Sequence, residues 1–177
     1  MTTRAGQPAQ ESDLINVEEL VAAYFAKVPD VTNPDQKVVF GTSGHRGSSL
    51  DAAFNETHIA AITQAIVEYR TAQGITGPLF IGKDSHGLSR PAETTALEVL
   101  TANGVRALVD EFDDYVPTPA LSLAIIVYNR SLPEPAEGAN ANDGRADGLR
   151  HLGERRPRER ARGPQVAVHV REPSGMM

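Results

Sequence analysis

The segment on which the fold depends reads Val38-Val39-Phe40-Gly41-Thr42-Ser43-Gly44-His45-Arg46-Gly47. A short apolar run, typical of a strand, leads directly into a loop that holds three glycines, two hydroxyl side chains, a histidine and an arginine. Glycines let backbone N–H groups approach a ligand closely, and an arginine can hold a phosphate with two parallel hydrogen bonds. The composition is that of an anion-binding loop. Its glycine spacing matches neither a Walker loop nor a dinucleotide fingerprint, and an ordinary glycine-rich turn after a strand is the alternative.

Length and charge limit the classes of protein to which the chain can belong. Its 177 residues are enough for about one domain with a single core. A formal net charge of -6 argues against general binding to nucleic acids or anionic membranes, which are themselves negatively charged. Cysteine is absent, which excludes disulfides, thiolate metal sites and cysteine nucleophiles. Because the sequence has neither an apolar run of about eighteen residues nor an apolar segment in residues 1–12, we expect a cytoplasmic protein without a membrane span.

Apolar periodicity predicts the order of helices and strands. Helical intervals of three and four residues occur over residues 14–25 and 59–69. Helices are also predicted over residues 90–103, which end before Gly104, and over the small and apolar residues 120–128. The candidate N-caps are Asp13, Asn55 and Ser89. Short apolar runs typical of strands occur at residues 37–40, 79–82 and 105–109. This alternation predicts an α/β fold, a three-layer sandwich with a mainly parallel sheet, in which residues 1–12 form a flexible leader and residues 13–130 the domain.

A second polar loop, Lys83-Asp84-Ser85-His86, follows the predicted strand at residues 79–82. Open α/β sheets place ligand sites beyond the carboxyl ends of their strands, so this loop is a candidate for the same site, with a charged loop in solvent as the alternative. His45 and His58 lack a carboxylate at ligand spacing, so we assign no metal ligand and expect solvent or phosphate contacts. The acidic run 110–114 is interpreted as a loop at a strand end, since it lacks the regular spacing of a calcium site.

Four stretches of the chain carry a family resemblance. They are Phe40-Gly41-Thr42-Ser43-Gly44-His45-Arg46-Gly47, the helix that follows it, Ile81-Gly82-Lys83-Asp84-Ser85-His86-Gly87-Leu88-Ser89, and Tyr115-Val116-Pro117-Thr118-Pro119-Ala120. Each stretch alone is weak, but in this order and spacing they resemble the phosphoglucomutases of the α-D-phosphohexomutase superfamily, in the bacterial glucose-phosphate branch. The resemblance covers residues 14–130, the opening part of a protein that in this family has four domains.

The resemblance implies a reaction and a set of site residues. Family members interconvert glucose 1-phosphate and glucose 6-phosphate through a phosphorylated serine, with Mg²⁺ and bound glucose 1,6-bisphosphate as cofactors. By this likeness Arg46 contacts the phosphate of a hexose phosphate, with Ser43 and Thr42 in the same phosphate-binding loop. The residues that support the site are Gly44, His45, Gly47, Lys83 and His86. An arginine suits its role because phosphoryl transfer depends mainly on positioning and charge stabilisation.

The sequence departs from the family after Arg130. In the family, the helix after the Pro-Thr-Pro turn is followed by a strand and by a Thr-Pro-Ser-His-Asn-Pro loop whose serine carries the phosphoryl group, and this chain contains no such loop. Residues 131–177 contain no Lys, Ile, Phe or Tyr, and their eight basic residues are all Arg. We interpret this region as a disordered or out-of-frame Arg/Gly/Pro-rich tail produced by a frameshift, a sequencing error or gene decay. A genuine lineage-specific tail is the alternative.

The leading interpretation is the N-terminal part of a phosphoglucomutase, with a sheet incomplete at its C-terminal side. The fragment is expected to be inactive alone, and no catalytic residue is assigned, because the serine loop is absent. One alternative is a sugar-phosphate or other anion-binding module built on residues 41–47. The other is binding of RNA or an acidic partner through the arginine-rich segment 155–163, although this segment has no aromatic residue for base stacking. The sequence leaves the oligomeric state open.

Overall fold

The computed structural model describes residues 6–41, 44–134 and 144–148, and the backbone of residues 170–171. The helices are α1 (Val17–Ala26), α2 (Glu56–Ala72), α3 (Ser89–Ala102) and α4 (Thr118–Ser131). The strands are β1 (Phe40–Gly41), β2 (Gly44–His45), β3 (Leu79–Phe80), β4 (Ala107–Asp110), β5 (Asp147–Gly148) and β6 (Val170–Arg171). Short 3₁₀ turns occupy Glu11–Asp13, Pro34–Gln36 and Ser49–Asp51. The predicted α/β class is therefore confirmed.

The main sheet has the strand order β5-β3-β4-β6. Strand β3 runs parallel to β4, with Leu79 opposite Ala107, and parallel to β5, with Phe80 opposite Gly148. Strand β6 joins the outer edge of β4 in the antiparallel direction. Strands β5, β3 and β4 thus form the small parallel sheet that the alternating sequence pattern predicts, with α3 between β3 and β4 and α4 between β4 and β5 along the chain.

The first predicted strand does not join this sheet. Instead of a strand over residues 37–40, the structure has the two-residue strand β1, which pairs antiparallel with β2 and places Phe40 opposite His45. Val39 and Phe40 are exposed, at 62% and 41%, whereas a strand inside a parallel sheet is covered on both faces. The prediction of three strand–helix repeats was therefore wrong for the first repeat. The chain turns back on itself at its glycines, so the backbone groups of residues 40–41 pair locally.

The helix starts agree with the predicted caps in part. Helix α1 begins after Asn16, whose Oδ1 accepts a hydrogen bond from the Glu19 N–H at 3.1 Å. Asp13, the predicted cap, instead accepts from the Gln10 N–H at 2.8 Å within a 3₁₀ turn. Asn55 precedes α2 as predicted, and Ser89 is the first residue of α3 rather than its cap.

The core lies on both faces of the sheet. Leu79 and Ile81 point to the face covered by α2 and α3, where they cluster with Ile66 and Leu100. Phe80 points to the other face and packs against Ala124 of α4, in a cluster that also contains Ala146. Helix α1 adds a third cluster, in which Leu20 and Tyr24 contact Leu88. Helices α2 and α3 therefore lie on one side of β3 and α4 lies on the other. The carboxyl end of β3 lies between the first turns of α3 and α4.

Two segments of the predicted tail belong to the sheet. Strand β5 pairs with β3 inside the region that we interpreted as tail, so the sheet extends past the predicted end of the domain at residue 130. The arginine-rich segment 155–163 lies outside the described residues, and its disorder stays a prediction.

In the described part of the chain, no helix is both long and apolar enough to cross a membrane.

Candidate functional site

A cleft of about 1090 Å³ opens beyond the carboxyl end of β3. It is bordered by the loop at residues 45–47, by one side of α2, and by the first turns of α3 and α4. Five of the residues predicted for the site line it, namely His45, Arg46, Gly47, Lys83 and His86. Gly44 lies in β2 and does not line the cleft, and Thr42 and Ser43 lie outside the described residues. The two predicted polar loops, far apart in sequence, therefore meet at one cavity.

Arg46 is an exposed cation at the rim of this cleft. Among the described residues, no hydrogen bond or ion pair engages its guanidinium. The backbone of this loop packs directly against Ala53 at Gly47. A Cβ at position 47 would overlap the carbonyl oxygen of Ala53. Close backbone packing thus sets the position of the loop, while the arginine side chain is left to face the cavity.

His45 is buried, with 9% of its surface exposed, and its surroundings keep the imidazole neutral. The ring stacks on Phe54 at a centroid distance of 5.7 Å, and its Nδ1 lies 3.3 Å from the backbone N of Val39. Burial lowers the pKa of His45 and the nearby His58 lowers it further, against an opposing effect of the Val39 backbone. His45 therefore packs the β1–β2 hairpin against Phe54 and the start of α2.

His58 is engaged at both ring nitrogens. Its Nδ1 accepts a hydrogen bond from the Asn55 N–H at 3.1 Å, and its Nε2 lies 2.7 Å from the Gln36 carbonyl oxygen, to which it donates. The Asn55 side chain donates in turn to the Ala23 carbonyl at 2.9 Å. These bonds tie the start of α2 to the end of α1, so His58 has a structural role.

Lys83 lies at the floor of the cleft, where two carboxylates hold it. Its Nζ donates to Glu93 Oε2 at 2.8 Å and to Asp113 Oδ1 at 2.5 Å, and only 3% of its side chain is exposed. Burial alone would lower the pKa of Lys83, but the hydrogen bonds and charges of Asp113 and Glu93 outweigh burial and raise it. Lys83 is therefore a charged tie between β3, α3 and the loop after β4.

The structure shows a network of charges that the sequence did not predict. Asp113 pairs with Arg90 as well as with Lys83. Lys83 and Arg90 together hold the pKa of Asp113 below its usual range. Asp113 has a φ of +57°, a conformation that Asp tolerates better than most residues. The sequence indicated only an acidic loop, because the partners of Lys83 lie 10 and 30 residues away. The one available signal was the position of both loops at strand ends.

His86 is oriented by its own loop. Asp84 Oδ1 accepts hydrogen bonds from the His86 N–H at 2.9 Å and from the Ser89 hydroxyl. His86 Nδ1 accepts from the Leu88 N–H at 3.2 Å, so Nε2 is the ring nitrogen that carries the N–H donor. The exposed imidazole can therefore offer a hydrogen bond to a molecule in the cleft.

The first turns of α3 and α4 both border the cleft. Helix α4 starts at Thr118 without a side-chain cap, and the Val116 N–H before it donates to the Lys83 carbonyl at 2.9 Å. Helix N-termini carry partial positive charge and unpaired N–H groups. Together with Arg46 and His86 they make this end of the sheet suited to an anion that carries hydroxyl groups. No step of acid–base chemistry is assigned to the cleft.

The described residues do not fit a Mg²⁺ site. They contain no group of three or more His, Asp or Glu side chains placed to hold a metal ion. Asp113 is engaged by Lys83 and Arg90, and Asp110 Oδ2 accepts from the Phe112 N–H at 2.9 Å and the Asp114 N–H at 3.1 Å. The acidic loop is thus used to fold on itself and to hold the network, and we derive no step through a metal.

Comparison with known proteins identifies the family. Residues 37–136 match the family described as phosphoglucomutase/phosphomannomutase, alpha/beta/alpha domain I. The chain is also 56% identical over 126 residues to a phosphoglucomutase of Komagataeibacter xylinus, an alignment that covers 71% of this chain and 23% of that protein. The chain therefore spans about a quarter of the length of this curated relative. On these matches, the chain belongs to the phosphoglucomutase/phosphomannomutase family and contains its alpha/beta/alpha domain I.

Proposed function

We propose that the cleft binds the phosphate group of a hexose phosphate, and that the chain is the first domain of a phosphoglucomutase. The single observation that carries the binding proposal is Arg46, an exposed guanidinium at the cleft without a protein partner among the described residues. An unpaired arginine can form two parallel hydrogen bonds with a phosphate, and these are among the stronger hydrogen bonds that proteins make. Thr42 and Ser43, which precede it, are proposed as further phosphate ligands.

The rest of the cleft suits the sugar. The Nε2–H of His86 and the hydroxyls of Ser89, Thr118 and Ser122 lie around the same cavity and can donate to or accept from sugar hydroxyls. Apolar side chains such as Ile62 and Leu121 line its other walls, which a pyranose ring can cover. With helices on both sides of the sheet, we propose the three-layer arrangement for the domain.

Isothermal titration calorimetry of the full chain with glucose 1-phosphate measures the binding affinity and tests the proposal. Replacing Arg46 with Gln removes a charge-assisted contact worth about 1.5–3 kcal/mol, so binding is expected to weaken by about one to two orders of magnitude. The matched control is Arg130→Gln, since Arg130 lies at the far end of α4 and does not line the cleft. Equal affinity of the unaltered chain and Arg46→Gln would contradict the proposal.

Inorganic phosphate and glucose serve as partial ligands in the same titration. Binding of glucose 1-phosphate that is tighter than binding of phosphate supports a sugar-phosphate site, whereas equal binding of both supports a general anion-binding module. Mutase activity is not expected, because the sequence has no Thr-Pro-Ser-His-Asn-Pro loop to accept the phosphoryl group. Turnover of glucose 1-phosphate by the purified chain would refute this expectation.

The origin of the last part of the sequence also stays a proposal. A frameshift predicts that another reading frame of the coding DNA restores the Thr-Pro-Ser-His-Asn-Pro loop, and sequencing the gene tests this directly. Salt-sensitive RNA binding that is lost on deletion of residues 155–163 would instead favour a genuine arginine-rich tail. A cytoplasmic location is likewise a proposal, consistent with an enzyme of hexose-phosphate metabolism.

A further inference from the structure

The outer edge of β3 is occupied by residues 144–148 in a way that depends on their identity. Ala146 is 6% exposed and sits in the cluster of Phe80 and Ala124, so a larger side chain there would have to displace its neighbours. At Gly148, an added Cβ would lie 2.5 Å from Ile125 Cδ1 and 3.2 Å from the Phe80 carbonyl oxygen. The strand therefore favours a small residue followed two positions later by glycine, since a Cβ at position 148 would have to push aside the end of the Ile125 side chain and shift the Phe80 carbonyl by a few tenths of an ångström.

The surrounding domain contacts the backbone of this segment through side chains. Asn129 donates to the Ala146 carbonyl and accepts from the Ala146 N–H, each at 2.8 Å, as a neighbouring strand would. The Gly144 N–H donates to Thr76 Oγ1 at 2.7 Å, and the Asp147 N–H to the Pro78 carbonyl at 3.3 Å. Gly77 lies so close beneath that a Cβ there would overlap the carbonyl oxygens of residues 144 and 145.

Arg70 of α2 forms an ion pair with Asp147 of the segment. It is 3% exposed at the end of α2, and it donates to the Gly77 carbonyl. Burial lowers the pKa of Arg70, which reflects the energetic cost of holding this cation away from water. A buried guanidinium needs a nearby carboxylate, because an uncompensated buried charge is strongly destabilising. Asp147 meets this need from within the segment.

We propose that the edge of β3, together with Arg70 and Asn129, is a strand-binding groove selective for the sequence Ala-Asp-Gly, and that residues 146–148 of this chain are its occupant. The groove selects a small residue by burial, an aspartate by charge, and a glycine by lack of space. It follows that the domain extends at least through Gly148, past the departure near residue 131 that the sequence suggested. This inference does not depend on the proposed function.

Amide hydrogen exchange of the full chain, measured by NMR, tests the groove. The N–H groups of Leu79 and Ile81 donate to Arg106 and Leu108 on the β4 side, each at 2.8 Å. Since donors alternate along a strand, the Phe80 N–H faces β5. We expect Asp147→Asn and Asn129→Ala each to speed exchange of Phe80 about tenfold or more, and that of Leu79 and Ile81 much less. Glu134→Gln, at an exposed position before the segment, is the control and should change none of them.

Two outcomes would overturn the proposal. One is slow exchange of Phe80 that persists in both variants, and the other is equal acceleration at all three amides, which indicates general destabilisation.

A double-mutant cycle tests the Arg70–Asp147 ion pair separately. In an Arg70→Met background no buried cation needs a partner, so Asp147→Asn should change Phe80 exchange far less than it does in the unaltered chain. An equal effect in both backgrounds would show that Asp147 is not held by Arg70.

Discussion

Replacing Lys83 with Met tests whether the network below the cleft depends on a buried charge. The change removes the ammonium while keeping an unbranched chain of similar length. It leaves Glu93, whose side chain is only 13% exposed, without a cation partner. Breaking a buried pair by removing one partner costs about 3–5 kcal/mol. The lower end, about 3 kcal/mol, applies because Asp113 is 61% exposed and keeps Arg90 as a partner.

Urea denaturation followed by circular dichroism measures this loss in the free energy of unfolding. Thermal denaturation of the same variant should show the melting temperature fall by roughly 6–12 °C for a chain of this size. The double variant Lys83→Met/Glu93→Leu removes both charges, and we expect it to recover most of the loss, since buried pairs can be replaced by apolar residues at little net cost. Asp113→Asn should lower the melting temperature less than Lys83→Met. Strictly additive losses in the double variant would refute the reasoning, because they would show that Lys83 and Glu93 do not interact.

The pair also predicts a dependence on pH. The folded state raises the pKa of Lys83 above its ordinary 10.5, so the folded chain holds this proton more tightly than the unfolded chain. The stabilisation is then fully present below about pH 10.5 and is lost as the pH rises through the folded value. Lys83→Met should remove this part of the alkaline loss of stability.

Two further changes give independent checks. Burial raises the pKa of Tyr24 from 10.0 to about 12, so the unaltered chain should lose on the order of 3 kcal/mol of stability between pH 10 and 12. Denaturation of Tyr24→Phe should lack this loss, at a cost of about 1 kcal/mol at neutral pH for its hydrogen bond to Thr95; an unchanged alkaline profile would contradict the assignment. Gly47→Ala should destabilise the chain by about 1–3 kcal/mol and weaken binding of glucose 1-phosphate, because its Cβ would displace the Arg46 loop from Ala53. Unaltered stability and affinity would argue against this packing.

Sequence periodicity was a good guide to the helices and a poor one to the strands. Apolar spacing and the helix start and stop residues together predicted four helices close to their observed bounds. Strand β1 was misplaced because an apolar run of three residues, Val38 to Phe40, fits either a buried strand or an exposed hairpin arm. Strand β5 was missed entirely, since Asp147 and Gly148 have no apolar pattern and are held by side chains elsewhere in the domain.

The candidate site was predictable where its chemistry is local. The glycines, hydroxyls and Arg46 stand together in the sequence, so their composition indicated an anion-binding loop before any fold was known. The role of Lys83 was not predictable to the same depth. Its carboxylate partners come from α3 and from the loop after β4, and only the packing of these elements at the end of β3 brings them within hydrogen-bonding distance.

The same packing explains why the two cations of the cleft have different roles. Lys83 is buried and neutralised by Glu93 and Asp113, so an incoming phosphate would have to compete with two carboxylates already in place. Arg46 is exposed, and no carboxylate of the described residues neutralises it. Among the described residues that line the cleft, an entering anion therefore meets uncompensated positive charge at the rim, where Arg46 and the start of α4 face it. For this reason Arg46→Gln should act mainly on binding of glucose 1-phosphate and Lys83→Met mainly on folding, and the opposite pattern would reverse the two assignments.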